Sequence, residues 1–438
     1  MDNHTAFWLF VIKKHAYTWP APCVISLVCQ ALSPYITIGK SKNIIKDNSL
    51  SAMIVLLILL VASLAYQVLA LVALGRFFRR PLPSPVFSEP PGITVLKPVK
   101  GLDEDSRECL QSFLIQDYQP YQVLFGVADA ADPVVPLLKE LRRQVPPGRL
   151  EIIFCPEALG HNPKVSILRQ LEPHARYDIL VVADGDVKVG PDFLGRMAAA
   201  LQEPGAGLVS CPYRAGPSRS LGSWLEALTI SADFIPSVAT ADYVEGIHFA
   251  LGAAMALTRP GLKAIGGFAA LSDYLADDYQ LGWRIHQAGF QVKLLPYVVE
   301  TVNPRLSFRE YLAHQLRWVR TYRVCRPKGY FAYGITHTLV FGLILVLASK
   351  LAPWALGLAA AALILRFGLA WCSEVVCLGG ALTLPAFCLV PVKDLLAFGL
   401  WLASFLGNTV VWKGRRFRLT PEGLLVPMEA AQRRGEGG

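Results

Sequence analysis

Asp184-Gly185-Asp186, Asp277-Asp278-Tyr279 and Gln315-Leu316-Arg317-Trp318 follow one another inside a polar stretch that apolar segments flank on both sides. Their residue types suit three separate tasks. Asp186, with Asp184 assisting directly or through water, offers hard oxygen ligands for Mg²⁺ or Mn²⁺, with retained waters and substrate phosphates completing the shell. Asp278 can act as a general base on an acceptor hydroxyl, with Asp277 helping to position it. Inversion at an anomeric carbon needs one such carboxylate opposite the leaving group and no covalent nucleophile. Arg317 can hold phosphate oxygens with both arms of its guanidinium while Trp318 walls the acceptor channel. Together the three clusters predict transfer of a sugar from a nucleotide-diphosphate donor to a hydroxyl at a membrane surface.

Each cluster alone has a plainer reading. Asp184 and Asp186 could cap a helix beginning near Pro191, and Asp277-Asp278 could be the acidic first turn of a helix over 278–288. Tyr311, Gln315, Trp318 and Tyr322 recur at helical spacing, which also describes a core stripe or an interfacial aromatic belt. Order and context favour the joint reading, because the D-x-D ends a buried-type strand and the Gln315-Leu316-Arg317-Trp318 cluster opens onto an apolar span.

Short β-type runs must position these residues: 93–99, 122–127, 151–155, 178–183, 207–211, 253–258 and 292–300. Amphipathic stretches such as 132–143, 163–174 and 191–201 alternate with them, which predicts an α/β domain built on a mostly parallel sheet. Ligands collect at the carboxyl ends of such strands, where Asp129, Asp184 and Asp186 fall. Asp129 could equally form an Asx turn there. The Lys97 and Lys164 ammoniums are candidates for the diphosphate, and Asn162-Pro163-Lys164 is stiffened by its proline. Gly246 and Gly252 could let backbone approach the sugar. His161, His248, His286 and His314 lack metal-ligand spacing and read as packing or surface residues.

Of the 438 residues, 53% are hydrophobic and 17% charged, too apolar for a wholly soluble chain and too polar in the middle for a pure transporter. Residues 53–74 carry no charge and are long enough to cross a hydrocarbon core of about 30 Å. We expect a transmembrane helix at 53–75, a catalytic domain at 90–328 with an interfacial helix at 307–323, and about four spans within 332–412. These would lie near 332–349, 353–371, 375–391 and 395–412, with a cytoplasmic tail at 413–438. Residues 1–52 read as an extension upstream of the true start. Arginines and lysines beside the spans put the domain on the cytoplasmic side of an inner membrane, as a multi-pass protein. That placement accounts for much of the net charge of +9 through contact with anionic lipid, and no nucleic-acid motif is present. The nine cysteines form no C-x-x-C pair and read as reduced, buried thiols.

The chain resembles family 2 or family 21 glycosyltransferases of the GT-A (Rossmann-like) fold, in particular the ceramide glucosyltransferases and the bacterial hopanoid-associated enzymes that modify bacteriohopanetetrol. The matching segments are Lys97-Pro98-Val99-Lys100-Gly101, 127–133, Asn162-Pro163-Lys164, the three clusters above and 412–419. The resemblance implies a UDP-sugar donor, a membrane-lipid acceptor and a place for Asp129 near uracil and ribose. Ser231-Ala232-Asp233-Phe234-Ile235-Pro236 lacks the histidine of ceramide glucosyltransferases. This departure tilts the expectation toward UDP-N-acetylglucosamine and a hopanoid acceptor, with UDP-glucose and ceramide as the alternative. A processive polysaccharide synthase shares two of the motifs. A non-catalytic transporter or scaffold would have no reason to retain Asp186, Asp278 and Arg317 together.

Overall fold

The structure, a computed structural model, describes residues 44–428. Its centre is a seven-stranded sheet of β1 (Ile93–Val99), β2 (Tyr121–Val127), β3 (Leu150–Phe154), β4 (Ile179–Ala183), β6 (Ala206–Ser210), β8 (Ala254–Thr258) and β9 (Gln291–Leu294). The spatial order is β3-β2-β1-β4-β8-β6-β9. β1, β2, β3 and β4 run parallel, whereas β8 is antiparallel to both β4 and β6. Alternate residues leave opposite faces of the pleat, so Val95, Phe125 and Val181 enter one core while Leu96, Leu124 and Val182 enter the other.

The run expected at 292–300 is two strands. β9 stops before Pro296, which has no N–H for a ladder. β10 (Val299–Thr301) then joins β5 (Val187–Lys188) and β7 (Tyr213–Ala215) in a small second sheet beside the D-x-D.

The first apolar helix covers Ile44–Phe78 and therefore takes in the last part of the expected extension; residues 1–43 lie outside the described residues. Its distal half belongs to the α/β domain as much as to the membrane. Ala70, Ala73, Leu74 and Phe77 are buried with Ile235, Val238 and Ala239 of the Ile235–Glu245 helix.

The C-terminal region departs from the four expected spans. Two described helices are long and apolar enough to cross a membrane, Ser51–Phe78 and Pro353–Cys377. A third exists if Pro327–Thr336 and Thr338–Ala348, bent by 53°, act together. The stretch 375–391 holds the end of the π-helical turn Cys372–Cys377, the short helix Leu384–Phe387 and the start of the Val390–Ser404 helix, with no continuous span. In 395–412 the helix Val390–Ser404 is 15 residues long, about 22 Å, and the chain then becomes β11 (Thr409–Trp412).

Lys393 and Asp394, expected to separate two spans, are instead buried partners. Arg366 makes a two-armed contact with Asp394 at 2.7 and 2.8 Å and also binds Asp233, while Lys393 reaches both Asp233 and Asp394. Two cations and two anions thus neutralise one another away from water.

The expected tail is also folded. β11, β12 (Arg415–Leu419) and β13 (Leu425–Pro427) form an antiparallel sheet. It docks on the segment before Asp277: the Leu425 N–H donates to the Asp273 carbonyl at 2.8 Å, and Tyr274 bridges to Leu424.

Arg366→Leu should lower stability by about 3–5 kcal/mol, because two buried carboxylates would keep only Lys393. Thermal unfolding of the detergent-solubilised protein checks this, and an unchanged midpoint would mean that the four charges are not coupled.

Candidate active site

The D-x-D leaves the carboxyl end of β4, where the Asp184 N–H donates to the Ala253 carbonyl at 3.0 Å. Gly185 passes close to β1: a Cβ there would stand 3.2 Å from Val99 Cγ1 and 3.3 Å from the Pro98 carbonyl. Beyond it, the Asp186 carbonyl accepts from Val302 N–H at 2.8 Å. The turn is therefore anchored by backbone on both sides, and its two carboxylates project from a fixed loop.

Lys97, expected to reach the diphosphate from the cleft, is instead turned inward. It is 0% exposed, points into the core beneath this loop and donates to the carbonyls of Asp184 (2.6 Å) and Val187 (3.1 Å), with the Phe113 ring 4.1 Å away. Its place on β1 follows the inward alternation of Val95 and Val99, so the ammonium becomes a prop for the turn. Burial pulls its pKa down to about 8 against the opposing pull of the nearby acids.

Lys164, expected near the diphosphate, gathers the acids. Its Nζ lies 2.7 Å from Asp184 Oδ1 and 3.5 Å from Asp277 Oδ2. Burial alone would lower its pKa, but Asp184, Asp277 and Asp278 override that and hold it above the ordinary lysine range. Asn162 caps the Pro163–Leu171 helix by accepting from Val165 N–H, and its Nδ2 donates to Asp277 Oδ1 at 3.1 Å. Asp277 is thus pinned from two sides and 8% exposed.

Asp278 begins the same helix, Asp277–Gln287, but is held less tightly. Oδ1 accepts from the Tyr279 N–H at 2.8 Å, while Oδ2 has no hydrogen bond to any described residue. Gly252 lies against it: a Cβ there would be 2.6 Å from Oδ2. Burial, then the charge of Asp277, pushes the Asp278 carboxyl up to about 6. Asp186 is also raised to about 6. Its surface is open to water, yet enclosure of the carboxyl in the cleft and then Asp184 act on it.

Gln315 does not face a donor either. It is 4% exposed, and its Nε2 donates to Glu226 Oε2 at 2.8 Å, while His314 Nδ1 lies 2.9 Å from Glu226 Oε1. Arg317, two residues on in the Phe308–Cys325 helix, forms no ion pair or hydrogen bond through its side chain among the described residues, and its enclosure lowers its pKa. Trp318 packs on Phe234, with ring centroids 5.9 Å apart, and Phe234 also contacts Tyr213 and Tyr322. These four rings form an aromatic wall.

Asp129 stands exposed at the end of β2 and makes the Asx turn, accepting from the Ala131 N–H at 2.9 Å. Gly246, with φ of 80°, terminates the Ile235–Glu245 helix, so of the two glycines only Gly252 meets the acids. Glu226 was missed, although a lone acid in the apolar run 221–229 signals a buried partner. The role of Asn162 in holding Asp277 was missed as well, since its capping position was legible but its long-range contact was not.

The described residues contain no group of three or more His, Cys, Asp or Glu side chains arranged to hold a metal. Two carboxylates on a fixed turn, one raised by the other's charge, still fit a Mg²⁺ or Mn²⁺ ion that takes most of its shell from phosphate and water.

The sequence model of glycosyl transferase family 21 matches residues 55–425. The chain belongs to this family. Ceramide glucosyltransferase 1 of Caenorhabditis elegans is 22% identical over 232 residues, 52% of this chain and 49% of that protein. The ceramide glucosyltransferase of Komagataella phaffii is 34% identical over 157 residues, covering 33% of this chain and 30% of the relative. The chain spans about half the length of the first of these curated relatives and less of the second. Among solved structures, the mannosyltransferase PcManGT of Pyrobaculum calidifontis, in complex with GDP-Man and Mn²⁺, aligns with a TM-score of 0.48 and 20% identity, covering 81% of this chain and 97% of that one. The expected α/β domain between apolar helices is what this family member has.

Gly252→Ala should displace the Asp278 carboxylate and cut sugar transfer by about 10²-fold, since a misplacement near 1 Å can cost that much. UDP affinity should be retained. Wild-type turnover in the variant, measured at saturating donor and acceptor, would show that Asp278 does not need its present position.

Proposed function

We propose that this protein is an inverting, metal-dependent glycosyltransferase that moves a sugar from a UDP-sugar to a hydroxyl of a membrane lipid. The observation that carries the reading is the convergence of Asp184, Asp277 and Asp278 around Lys164. Asp278, with one oxygen uncommitted, takes the proton of the acceptor hydroxyl. Arg317 binds phosphate oxygens of the donor, and Asp277 and Lys164 keep Asp278 in place. Mg²⁺ or Mn²⁺, held by Asp186 with Asp184, would screen the charge that develops on the leaving UDP. Asp129 lies on the nucleoside side, and Trp318 with Phe234 lines the acceptor side.

The names of the curated relatives favour UDP-glucose and ceramide as donor and acceptor. A second reading, N-acetylglucosamine transfer to bacteriohopanetetrol, rests on the 231–236 segment, where Asp233 stands in the buried charge network. Lipid extracts from cells with and without the gene distinguish the two by the mass of added hexose or N-acetylhexosamine. Basic residues beside the apolar helices support a cytoplasmic-facing domain in the inner membrane. A reporter fused after Arg80 should therefore read cytoplasm, and a periplasmic signal would reverse the orientation.

Asp278→Asn should bind UDP nearly normally and lose about 10²-fold or more in transfer. A variant that loses donor affinity but keeps turnover at saturation would make Asp278 a binding residue.

Because the Asp278 pKa is raised to about 6, the base is protonated and idle below that pH and active above it. Turnover at saturating substrates should fall tenfold per pH unit on the acid side of about 6. A flat profile down to pH 5 would exclude this group as the base.

A further inference from the structure

We propose that Lys413 is a cation of the donor site, carried to the diphosphate by a hairpin that returns from the membrane helices to the catalytic domain. The inference rests on the reading of this cleft as a UDP-sugar site.

The hairpin tip is unusual for its sequence. Trp412 pairs with Arg415, which leaves Lys413-Gly414 as a two-residue turn with φ of 47° and 78°. Two positive φ values are the signature of the turn that Asn-Gly and Asp-Gly make readily. Lysine has no side-chain group that favours the left-handed region, and placing it there costs about 1–2 kcal/mol. Strain retained at one residue of an otherwise regular hairpin points to a task for that side chain.

The base of the hairpin is fixed to the segments before Lys164 and Asp277 and to the helix of Arg317. Phe417 and Leu419 are buried with Leu275, Val410 and Leu425, two residues before Asp277. The Phe417 ring is 6.3 Å from His161, next to the Asn162 that holds Asp277. Arg323, on the helix of Arg317, donates to the Gly407 carbonyl at 3.2 Å, and Arg320 donates to that of Thr409. The hairpin base is thereby tied to the segments that carry Lys164 and Asp277.

At that tip Lys413 is exposed, and its ammonium has no ion pair or hydrogen bond among the described residues, with the Trp412 ring 5.8 Å away. Lys100 and Lys164 act against its charge, while Asp184 and Asp277 favour it. These are the groups at the donor end of the cleft. Before a metal ion binds, the four acids Asp184, Asp186, Asp277 and Asp278 face the three lysines Lys97, Lys100 and Lys164 there, so Lys413 adds a cation where a diphosphate would otherwise meet net negative charge.

The test uses the full-length protein in detergent with Mn²⁺, and compares UDP with uridine, which lacks the phosphates. Lys413→Asn should weaken UDP binding by about 10-fold, the scale of one charge-assisted contact. Uridine binding should not change, and the unfolding temperature should hold or rise because Asn-Gly relieves the turn. Lys413→Arg, which keeps the charge, should recover most of the affinity. Equal UDP affinity in Lys413→Asn and the unsubstituted protein would overturn the proposal while leaving the donor reading intact. Parallel loss of UDP and uridine binding with a lower unfolding temperature would overturn it in favour of a structural role. Failure of the unsubstituted protein to bind UDP would sink the donor reading and this proposal together.

Discussion

The Lys164 ammonium, 2.7 Å from Asp184 and 3.5 Å from Asp277, joins the carboxyl end of β4 to the N-terminus of the Asp277–Gln287 helix. At such separations each attraction is worth several kcal/mol in a protein-like dielectric, enough to set against the desolvation of the ions. Without it, carboxylates brought together by the fold would repel, and two of them are already raised to about 6. The rest of the site follows from keeping this ammonium where it is. Pro163 and the Asn162 cap fix the start of its helix, and the same Asn162 fastens Asp277, so donor-side and acid-side elements share one short segment.

The membrane helices are tied into this arrangement. The π-helical turn Ile230–Phe234 carries Asp233 on the buried charge network with Arg366, Lys393 and Asp394, while the next residue, Phe234, packs on Trp318 and Tyr322 in the cleft wall. A widened turn sets successive side chains toward different partners, a recurrent use of such turns. Displacement of the apolar helices would thus be transmitted to the aromatic wall through a single peptide unit. This provides a physical route by which a lipid-embedded bundle and a water-facing cleft keep register.

Much of the α/β domain was legible because its strands are short β-branched runs ended by polar or turn residues. β1 was placed residue for residue and the other strands of the seven-stranded sheet within one or two positions, except where Pro296 divides the last, while the short β5 and β7 carried no run of their own. The acids that the fold brings to Lys164 stand out by type and order. What could not be read was direction. Lys97 and Gln315 have the chemistry of ligands, yet strand alternation turns one into the core and helical phase turns the other onto Glu226. The C-terminal spans failed for a related reason: Lys393 and Asp394 look like a break in hydropathy, and only the distant partners Arg366 and Asp233 show that they are buried. A one-dimensional pattern does not contain such pairings.

Adjacent carboxylates in one helical turn have been given different environments, and the difference assigns their roles. Asp277 spends both oxygens, one on Asn162 and one on Lys164, and is shielded from solvent. Asp278 spends one oxygen on a backbone N–H and turns the other toward Gly252, where the missing side chain leaves room for it. Helix N-termini ordinarily favour ionised acids, so a pKa near 6 at Asp278 means that burial and the neighbouring negative charge outweigh the dipole. Environments that distinguish a pair of acids in this way are how one is kept as a fixed strut and the other as a group able to gain and lose a proton. On the proposed mechanism, the same logic makes Asp277 the strut and Asp278 the base.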